Sequence, residues 1–347
     1  MAMWIISAGA EGRDYTEYFQ RFGMAFVGGA PQRATMKQVK VGDVILLKRG
    51  LTEIVAAGTV VDRNGGHSGD GDKEWLRDFD GWDLAGYCYV DWHVPATPEP
   101  ATGLRMGTIY QTSQPQLMVI AQKILSGPSQ PFQNEPTPTK TVDDNALLGF
   151  LIQQGLRVAA ADEVTEALRR IRLLAQYYYD NWKWQDIREH ETRTFLVIPL
   201  LLALGWAEQQ LKIEMPAAGG RVDIACYPVA FKGINAEAIV LIETKGFASG
   251  LHYAPEQAHG YAKSFSNCQV LLVTNGYCYK TYLRTGEGTF STQPSGYLNI
   301  IKPRDRYPLE PEHVAGALEV LKWLMPTTVT LQARALGLGQ VTAPKSR

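Results

Sequence analysis

Asp223, Glu243 and Lys245 are the residues of this chain whose types and spacing fit a defined chemistry, metal-assisted hydrolysis of a phosphodiester. The run Ala238-Ile239-Val240-Leu241-Ile242-Glu243-Thr244-Lys245 reads as one strand, apolar until Glu243 and Lys245 appear at its end. Residues two apart on a strand point to one face, so a carboxylate and an ammonium emerge side by side. Gly246 then permits the chain to turn away. Twenty residues before Glu243, Arg221-Val222-Asp223-Ile224 puts an aspartate inside an apolar strand, and a hairpin connection would set it beside Glu243. Two carboxylates with a free face can hold Mg²⁺ (or Mn²⁺), which prefers oxygen ligands. A metal so held orients a phosphate, offsets developing charge and activates water. Lys245 can position or deprotonate that water, or stabilise the transition state. The same spacing also describes an edge ion pair between Glu243 and Lys245, with Asp223 unrelated to both.

The elements that must position these groups can be read around them. Helical periodicity runs from Asp162 to Tyr179 through Val164, Leu168, Ile171, Leu174 and Ala175, and a second helix is expected over Glu189–Leu204, ended by Gly205. Strands are expected at 211–214, 221–226, 238–244 and 270–274, with a helix over 255–264 between the last two. This order predicts an α/β domain with a mixed central sheet. The aromatic and basic run from Arg169 to Arg193, with Tyr177-Tyr178-Tyr179, Trp182 and Trp184, reads as a helix packed by its aromatics, and alternatively as a surface touching DNA. His252 and His259 make no metal-ligand spacing, and Cys226 and Cys268 read as core residues.

Residues 187–280 resemble the nuclease domain of type I restriction subunits and related Mrr-like enzymes, a PD-(D/E)XK group. The resemblance is carried by Glu189-His190-Glu191-Thr192-Arg193, Ile198-Pro199-Leu200-Leu201 and Leu204-Gly205-Trp206 for the opening helix. Gly220-Arg221-Val222-Asp223 matches the metal-binding aspartate strand, and Ile242-Glu243-Thr244-Lys245 the ExK strand. Gln257-Ala258-His259-Gly260-Tyr261 is similar to the QxxxY element that follows, and its Gln257 and Tyr261, four apart, share a helix face. The resemblance implies a restriction-endonuclease-like fold, Mg²⁺-dependent DNA cleavage and catalytic roles for Asp223, Glu243, Lys245, Gln257 and Tyr261, with Asp223 and Glu243 on the metal. It also implies one acidic residue from the opening helix. Glu189 and Glu191 lie about 200° apart on a helix, so one of them faces the site, and Glu191 is the expected one.

Ser126 to Thr141, rich in Pro, Ser, Gln and Thr, carries no hydrophobic period and predicts a flexible linker over 126–141 between domains at 1–125 and 142–347. The first domain is glycine-punctuated and β-rich: Trp4-Ile5-Ile6, a hairpin of Val44–Leu47 with Ile54–Val61, and Tyr87–Trp92 are strands, and Asn64–Asp72 is a mobile loop. Trp4–Gly9, Val39–Leu47, Ile54–Val60, Asp80-Gly81-Trp82-Asp83-Leu84 and Tyr89–Trp92 resemble the EVE and YTH branch of PUA-like barrels. That resemblance implies a pocket for a flipped, modified base, stacked by aromatic walls and read by hydrogen bonds. Trp75 and Trp82 are the wall candidates, Trp4 and Trp92 are expected to pack inward, and Asp83 is a candidate for reading an amino group.

Composition permits this and excludes little. The chain has 347 residues and a formal net charge of −1, so no global basic excess advertises nucleic acid, although local patches steer binding. Four cysteines without a CxxC spacing suit a reducing compartment, the opening Met1–Ile6 reads as a first strand and not as a signal peptide, and no apolar run is long enough for a membrane span. No GxxxxGK[ST] loop is present. The combined expectation is a cytoplasmic, modification-dependent DNA endonuclease of restriction type IV character, acting on double-stranded DNA with modified bases as a homodimer in defence against foreign DNA. The alternatives are a repair or structure-specific nuclease with a general DNA- or RNA-binding barrel, and a nucleic-acid-binding protein with an inactive nuclease fold.

Overall fold

In the computed structural model, which describes residues 1–9, 12–63, 65–234, 237–286 and 288–335, the chain divides into two units, Met1–Pro138 and Thr139–Arg347. Each is built on a mixed sheet with helices, and one of the two sheets curls into a half-barrel.

In the first unit, short apolar strands alternate with glycine turns. Its strands are β1 (Met3–Ser7), β2 (Met24–Val27), β3 (Val44–Arg49), β4 (Glu53–Val60), β5 (Ser68–Asp70), β6 (Gly86–His93), β7 (Glu99–Pro100) and β8 (Ile109–Thr112). They are ordered β2-β6-β4-β3-β1-β8, with β5 on β6 and β7 on β4. The expected hairpin is β3–β4, whose turn uses Gly50 at φ 61°, and β1 runs parallel to β3 with Trp4 beside Ile45. Helices α1 (Thr16–Phe22) and α2 (Ala30–Met36) precede β3, and α3 (Pro115–Leu125) follows β8. Leu117, Ala121 and Ile124 of α3 recur at helical spacing and close over Ile5, Leu46 and Ala57. Full burial of Leu117 alone contributes about 2 kcal/mol or more.

Two expectations for this unit differ from what is found. The stretch expected as a mobile loop contains β5, paired with β6 from Ser68↔Cys88 to Asp70↔Gly86; Asn64 lies outside the described residues. The segment after α3 is bonded back onto the first unit. Gln130 N–H donates to Trp92 O at 2.6 Å and Gln133 N–H to Arg21 O at 2.7 Å. The Arg63 guanidinium lies 3.6 Å over the Phe132 ring, and Lys73 Nζ donates to both Glu135 carboxylate oxygens at 2.6 and 2.8 Å. Composition marks this stretch as irregular, but specific side-chain partners hold it.

The second unit carries β9 (Leu211–Ala217), β10 (Gly220–Cys226), β11 (Val240–Thr244), β12 (Val270–Thr274), β13 (Cys278–Gly286), β14 (Thr289–Phe290) and β15 (Gly296–Asn299). The order is β14-β13-β12-β11-β10-β9, with β15 on β13. Every residue of β11 and β12 is buried, as fits strands covered on both faces. They run parallel, and the chain between them contains α8 (Ala254–Ala262). Around the sheet are α4 (Asp144–Gln153), the long α5 (Val158–Gln185), α6 (Glu189–Thr192), α7 (Ile198–Ala203), α9 (Ala317–Leu324) and α10 (Pro326–Ala335). Tyr178 and Tyr179 of α5 pack edge-on against Phe247 and Tyr277 at 5.6 Å each, whereas Tyr177 and Trp184 are exposed. The Trp182 side chain lies outside the described residues.

The expected single helix over 189–204 is interrupted. Between α6 and α7, Arg193–Val197 form a π-helical turn. Pro199 has no N–H to give the Phe195 carbonyl and its ring crowds that oxygen, so the turn ahead of it is widened.

Candidate functional site

β10 and β11 pair antiparallel with Ile224 opposite Ile242, and one step further along the ladder are Asp223 and Glu243. Both are buried, at 6% and 3% exposure. Asp223 Oδ2 accepts the Thr244 N–H at 2.6 Å and the Thr244 hydroxyl at 2.8 Å, so a side chain takes the donor that a continued ladder would use. This locks the carboxylate to the end of β11.

Glu243 Oε1 accepts from Lys245 Nζ at 2.5 Å, as strand alternation predicts. Its other oxygen, Oε2, is buried and has no hydrogen-bond partner among the described residues. Burial pushes the Glu243 carboxyl up; Lys245 opposes this, Asp223 and Glu189 reinforce it, and the result is about 7. Lys245 Nζ also donates to Gln257 Oε1 at 2.9 Å, and Gln257 Nε2 to the Tyr261 hydroxyl at 2.8 Å. The four-residue spacing of Gln257 and Tyr261 on α8 thus builds a line Glu243–Lys245–Gln257–Tyr261. Gly220 completes it, because a Cβ there would stand 2.8 Å from the Tyr261 hydroxyl.

The acidic residue that α6 brings to the cluster is Glu189, not the expected Glu191. The Glu189 carboxyl is raised by burial and then by the neighbouring Asp223, while Lys245 and Arg193 oppose the shift. Glu191 is consumed elsewhere: three residues into the helix start, its carboxylate accepts the Arg188 N–H at 2.9 Å. With that oxygen capping the helix, Glu191 is held at its N-terminus.

Two charged residues beside the cluster have no counterpart among the sequence expectations. Arg193 Nη1 donates to Asp223 Oδ1 at 3.1 Å and to Glu214 at 2.6 Å, with only 12% of its side chain exposed. Glu214 lies on β9 where Met215 pairs with Val222 and Ile213 with Ile224, hence across from Asp223, and its φ is +57°. A left-handed glutamate costs about 1–2 kcal/mol. The sequence shows Arg193 within the opening-helix motif and Pro199 six residues on, a signal of helix irregularity; nothing local marks Glu214.

Three carboxylates therefore act on one another, from the middle of β10, the end of β11 and the start of α6, with Lys245 and Arg193 beside them. Among the described residues no group of three or more His, Cys, Asp or Glu is already arranged to ligate an ion. The reason is visible in the hydrogen bonds: Asp223 is turned onto Thr244 and Arg193, and Glu243 Oε1 onto Lys245. The donor set is nevertheless all hard oxygen and holds one buried carboxylate oxygen without a partner, which fits a divalent cation such as Mg²⁺ or Mn²⁺. A cavity of about 510 Å³ elsewhere in the unit, lined by Asp143, Asp144, Arg172 and Arg304 among others, contains none of these residues. His259 packs against Tyr282 and Phe290 at 5.6 and 6.1 Å, and His252 against Tyr253 at 4.6 Å. All four cysteines are free and buried, Cys226 and Cys268 included.

In the first unit the indoles differ in accessibility. Trp4 and Trp92 are core residues, as expected, with Nε1 donating to Asp43 Oδ2 at 3.0 Å and Met24 O at 3.1 Å. Trp75 is also buried, among Phe22, Phe26 and Phe79, and its Nε1 donates to Glu135 at 3.1 Å. Its ring is thus enclosed by core aromatics. Trp82 is half-buried with the Arg13 guanidinium 3.9 Å over its ring. Asp83 caps the Ala85 N–H at 3.2 Å and pairs with Arg77 at 3.4 Å.

No protein-family profile and no curated protein matches the chain. Among the described residues no helix is long and apolar enough to cross a membrane.

Proposed function

We propose that the second unit is a divalent-cation-dependent DNA endonuclease of PD-(D/E)XK type, and that the first unit directs it to double-stranded DNA carrying modified bases. The observation that supports cleavage is the gathering of Glu189, Asp223 and Glu243 around Lys245, with Glu243 Oε2 buried and without a hydrogen-bond partner among the described residues.

Asp223 and Glu243 would hold Mg²⁺ or Mn²⁺, with Glu189 as the third acidic neighbour; when bound, the cation supplies charge for the phosphate and lowers the pKa of a water. Lys245 does the positioning. Glu243 and Gln257 fix its ammonium from two sides, so its remaining proton is aimed without a search through rotamers. There it orients an attacking water or offsets charge on the phosphoryl oxygens. Tyr261 holds Gln257, and Gln257 holds Lys245. Thr244 keeps Asp223 from rotating away.

For target choice, Trp82 with Arg13 is the aromatic element best placed to meet a flipped base, since Trp4, Trp75 and Trp92 are spent on the core. A site of this type cuts one strand, so a duplex break calls for a homodimer or two recruited copies. The role this suits is defence against foreign DNA in the cytoplasm.

The test is cleavage of matched plasmids, unmodified or carrying methylated or hydroxymethylated bases, with Mg²⁺ or Mn²⁺. Cutting of modified plasmid alone is the expected result. Equal cutting of all would overturn the modification reading and favour a repair nuclease; binding without cutting would favour an inactive fold. Asp223→Ala and Lys245→Ala should each abolish cleavage and leave binding intact.

A further inference from the structure

We infer that Arg193 is a built-in counter-ion which occupies Asp223 when no divalent cation is present and must give up that carboxylate for one to bind, with Glu214 holding the displaced guanidinium. The inference rests on the proposed metal site and adds a positioning residue that controls access to it.

Four observations carry it. Asp223 Oδ2 is committed to both Thr244 donors, so Oδ1 is the oxygen left to meet a cation, and Arg193 Nη1 is on that oxygen. The guanidinium has a second partner, Glu214, at the shorter distance of 2.6 Å, so release from Asp223 does not strand a charge. Glu214 reaches this place from a left-handed backbone, φ +57°, directly across β9–β10 from Asp223. Strained non-glycine residues persist where the surroundings over-determine them, often at functional sites. Arg193 itself opens the π-helical turn, an irregularity that re-aims side chains relative to a regular helix. Together these give the guanidinium two docking points, one shared with the cation and one not.

Arg193 and the cation compete for one carboxylate oxygen. With half-buried Glu189 repelling buried Asp223 and Glu243, the metal-free cluster needs positive charge, and Arg193 supplies it beside Lys245. A divalent cation supplies more, at the same oxygen. The Arg193–Asp223 bond therefore stabilises only the metal-free protein, unlike an ordinary salt bridge, which stabilises both states.

That difference is measurable without activity. Mn²⁺ binding is followed by calorimetry, and melting temperature is measured with chelator and with saturating Mn²⁺, for the full chain and for Arg193→Gln. The expected result is Mn²⁺ binding on the order of tenfold tighter in R193Q, with melting lowered in chelator and the gap to the parent closing in Mn²⁺. An equal fall in melting temperature in both conditions, with unchanged affinity, would show Arg193 to be a plain structural bridge and overturn the inference alone. Absence of Mn²⁺ binding in the parent and the variant would overturn the metal site, and the inference with it. Should R193Q fail to fold, Glu214→Gln serves: it takes the charge from the second docking point and leaves the guanidinium on Asp223, so weaker Mn²⁺ binding is expected, and unchanged affinity would refute the inference.

Discussion

The Tyr261 hydroxyl lies over Gly220, at a place where any Cβ would approach it to 2.8 Å. The motif glycine is therefore explained by a side chain 41 positions away, not by backbone freedom. Gly220→Ala displaces the end of one flexible tyrosine, so stability should change by no more than about 1 kcal/mol. Tyr261 holds Gln257 and Gln257 holds Lys245, so cleavage should fall about ten- to a hundredfold. Melting curves and single-turnover cleavage of G220A read the two effects separately; unaltered cleavage would remove Tyr261 from the positioning line.

Glu189 and Glu191 should separate in the same way. Glu189→Gln removes a half-buried carboxyl from beside Asp223, and should reduce cleavage ~10–100-fold without lowering metal-free melting. Glu191→Ala removes the acceptor for the Arg188 N–H and should cost about 1 kcal/mol of stability, with cleavage retained. The reverse pattern would return Glu191 to the site.

The raised Glu243 carboxyl makes a prediction about pH. Its folded value is about 7, above its ordinary value of 4.5, so between these limits the folded protein keeps a proton that the unfolded chain releases. That contribution is complete below 4.5 and is lost as pH rises through 7. In chelator, melting should therefore fall as pH rises across this window, Glu189 adding in the same direction. The largest slope is about 1.4 kcal/mol per pH unit for each proton, or a few degrees in a domain this size. Glu243→Gln should flatten it, and an unchanged slope in E243Q would show that Glu243 is ionised in the folded state across the window.

The two tryptophans flanking Asp78–Gly81 should part company. Trp75→Ala empties a volume between Phe22 and Phe79 and should cost about 3–5 kcal/mol of stability in the first unit. Trp82→Ala loses an Arg13 contact of about 1 kcal/mol but should abolish preference for modified DNA in a competition binding assay. Preserved preference in W82A would move the reading pocket away from Trp82.

Much of the second unit was legible because its signals are local. The apolar runs of β11 and β12, the two-residue spacing of Glu243 and Lys245 and the four-residue spacing of Gln257 and Tyr261 each state their geometry within one element. The Arg193–Glu214–Asp223 bridge was not legible, since it joins three elements and depends on a left-handed residue that no composition marks. Which of Glu189 and Glu191 stands beside Asp223 was not legible for a different reason. It turned on where the helix begins, and Arg188 is not a residue type that announces a cap. The strands β13 and β15 lie in a stretch of mixed polarity without a clear period, whereas α9 carries one, with Ala317, Val320, Leu321 and Leu324 buried at helical spacing. In the first unit, strand context is enough to place Trp4 and Trp92 in the core, whereas Trp75, beside a polar loop-like stretch, reads as a pocket wall and is buried among aromatics that sequence alone does not bring together.

The segment that follows α3 matters for how the protein can be divided. Glu135 accepts from Lys73, Trp75 and Tyr89, the last at 3.4 Å, and Gln130 and Gln133 extend the attachment toward Trp92 and Arg21. A fragment ended at residue 125 would keep every strand and helix of the first unit, but would leave an ammonium and an indole N–H without their acceptor and uncover aromatic surface. Its poor behaviour could be mistaken for a lack of independent folding. The unit ends where its last anchored side chain does, and dissection by protease or by gene truncation belongs after Glu135, near Pro138.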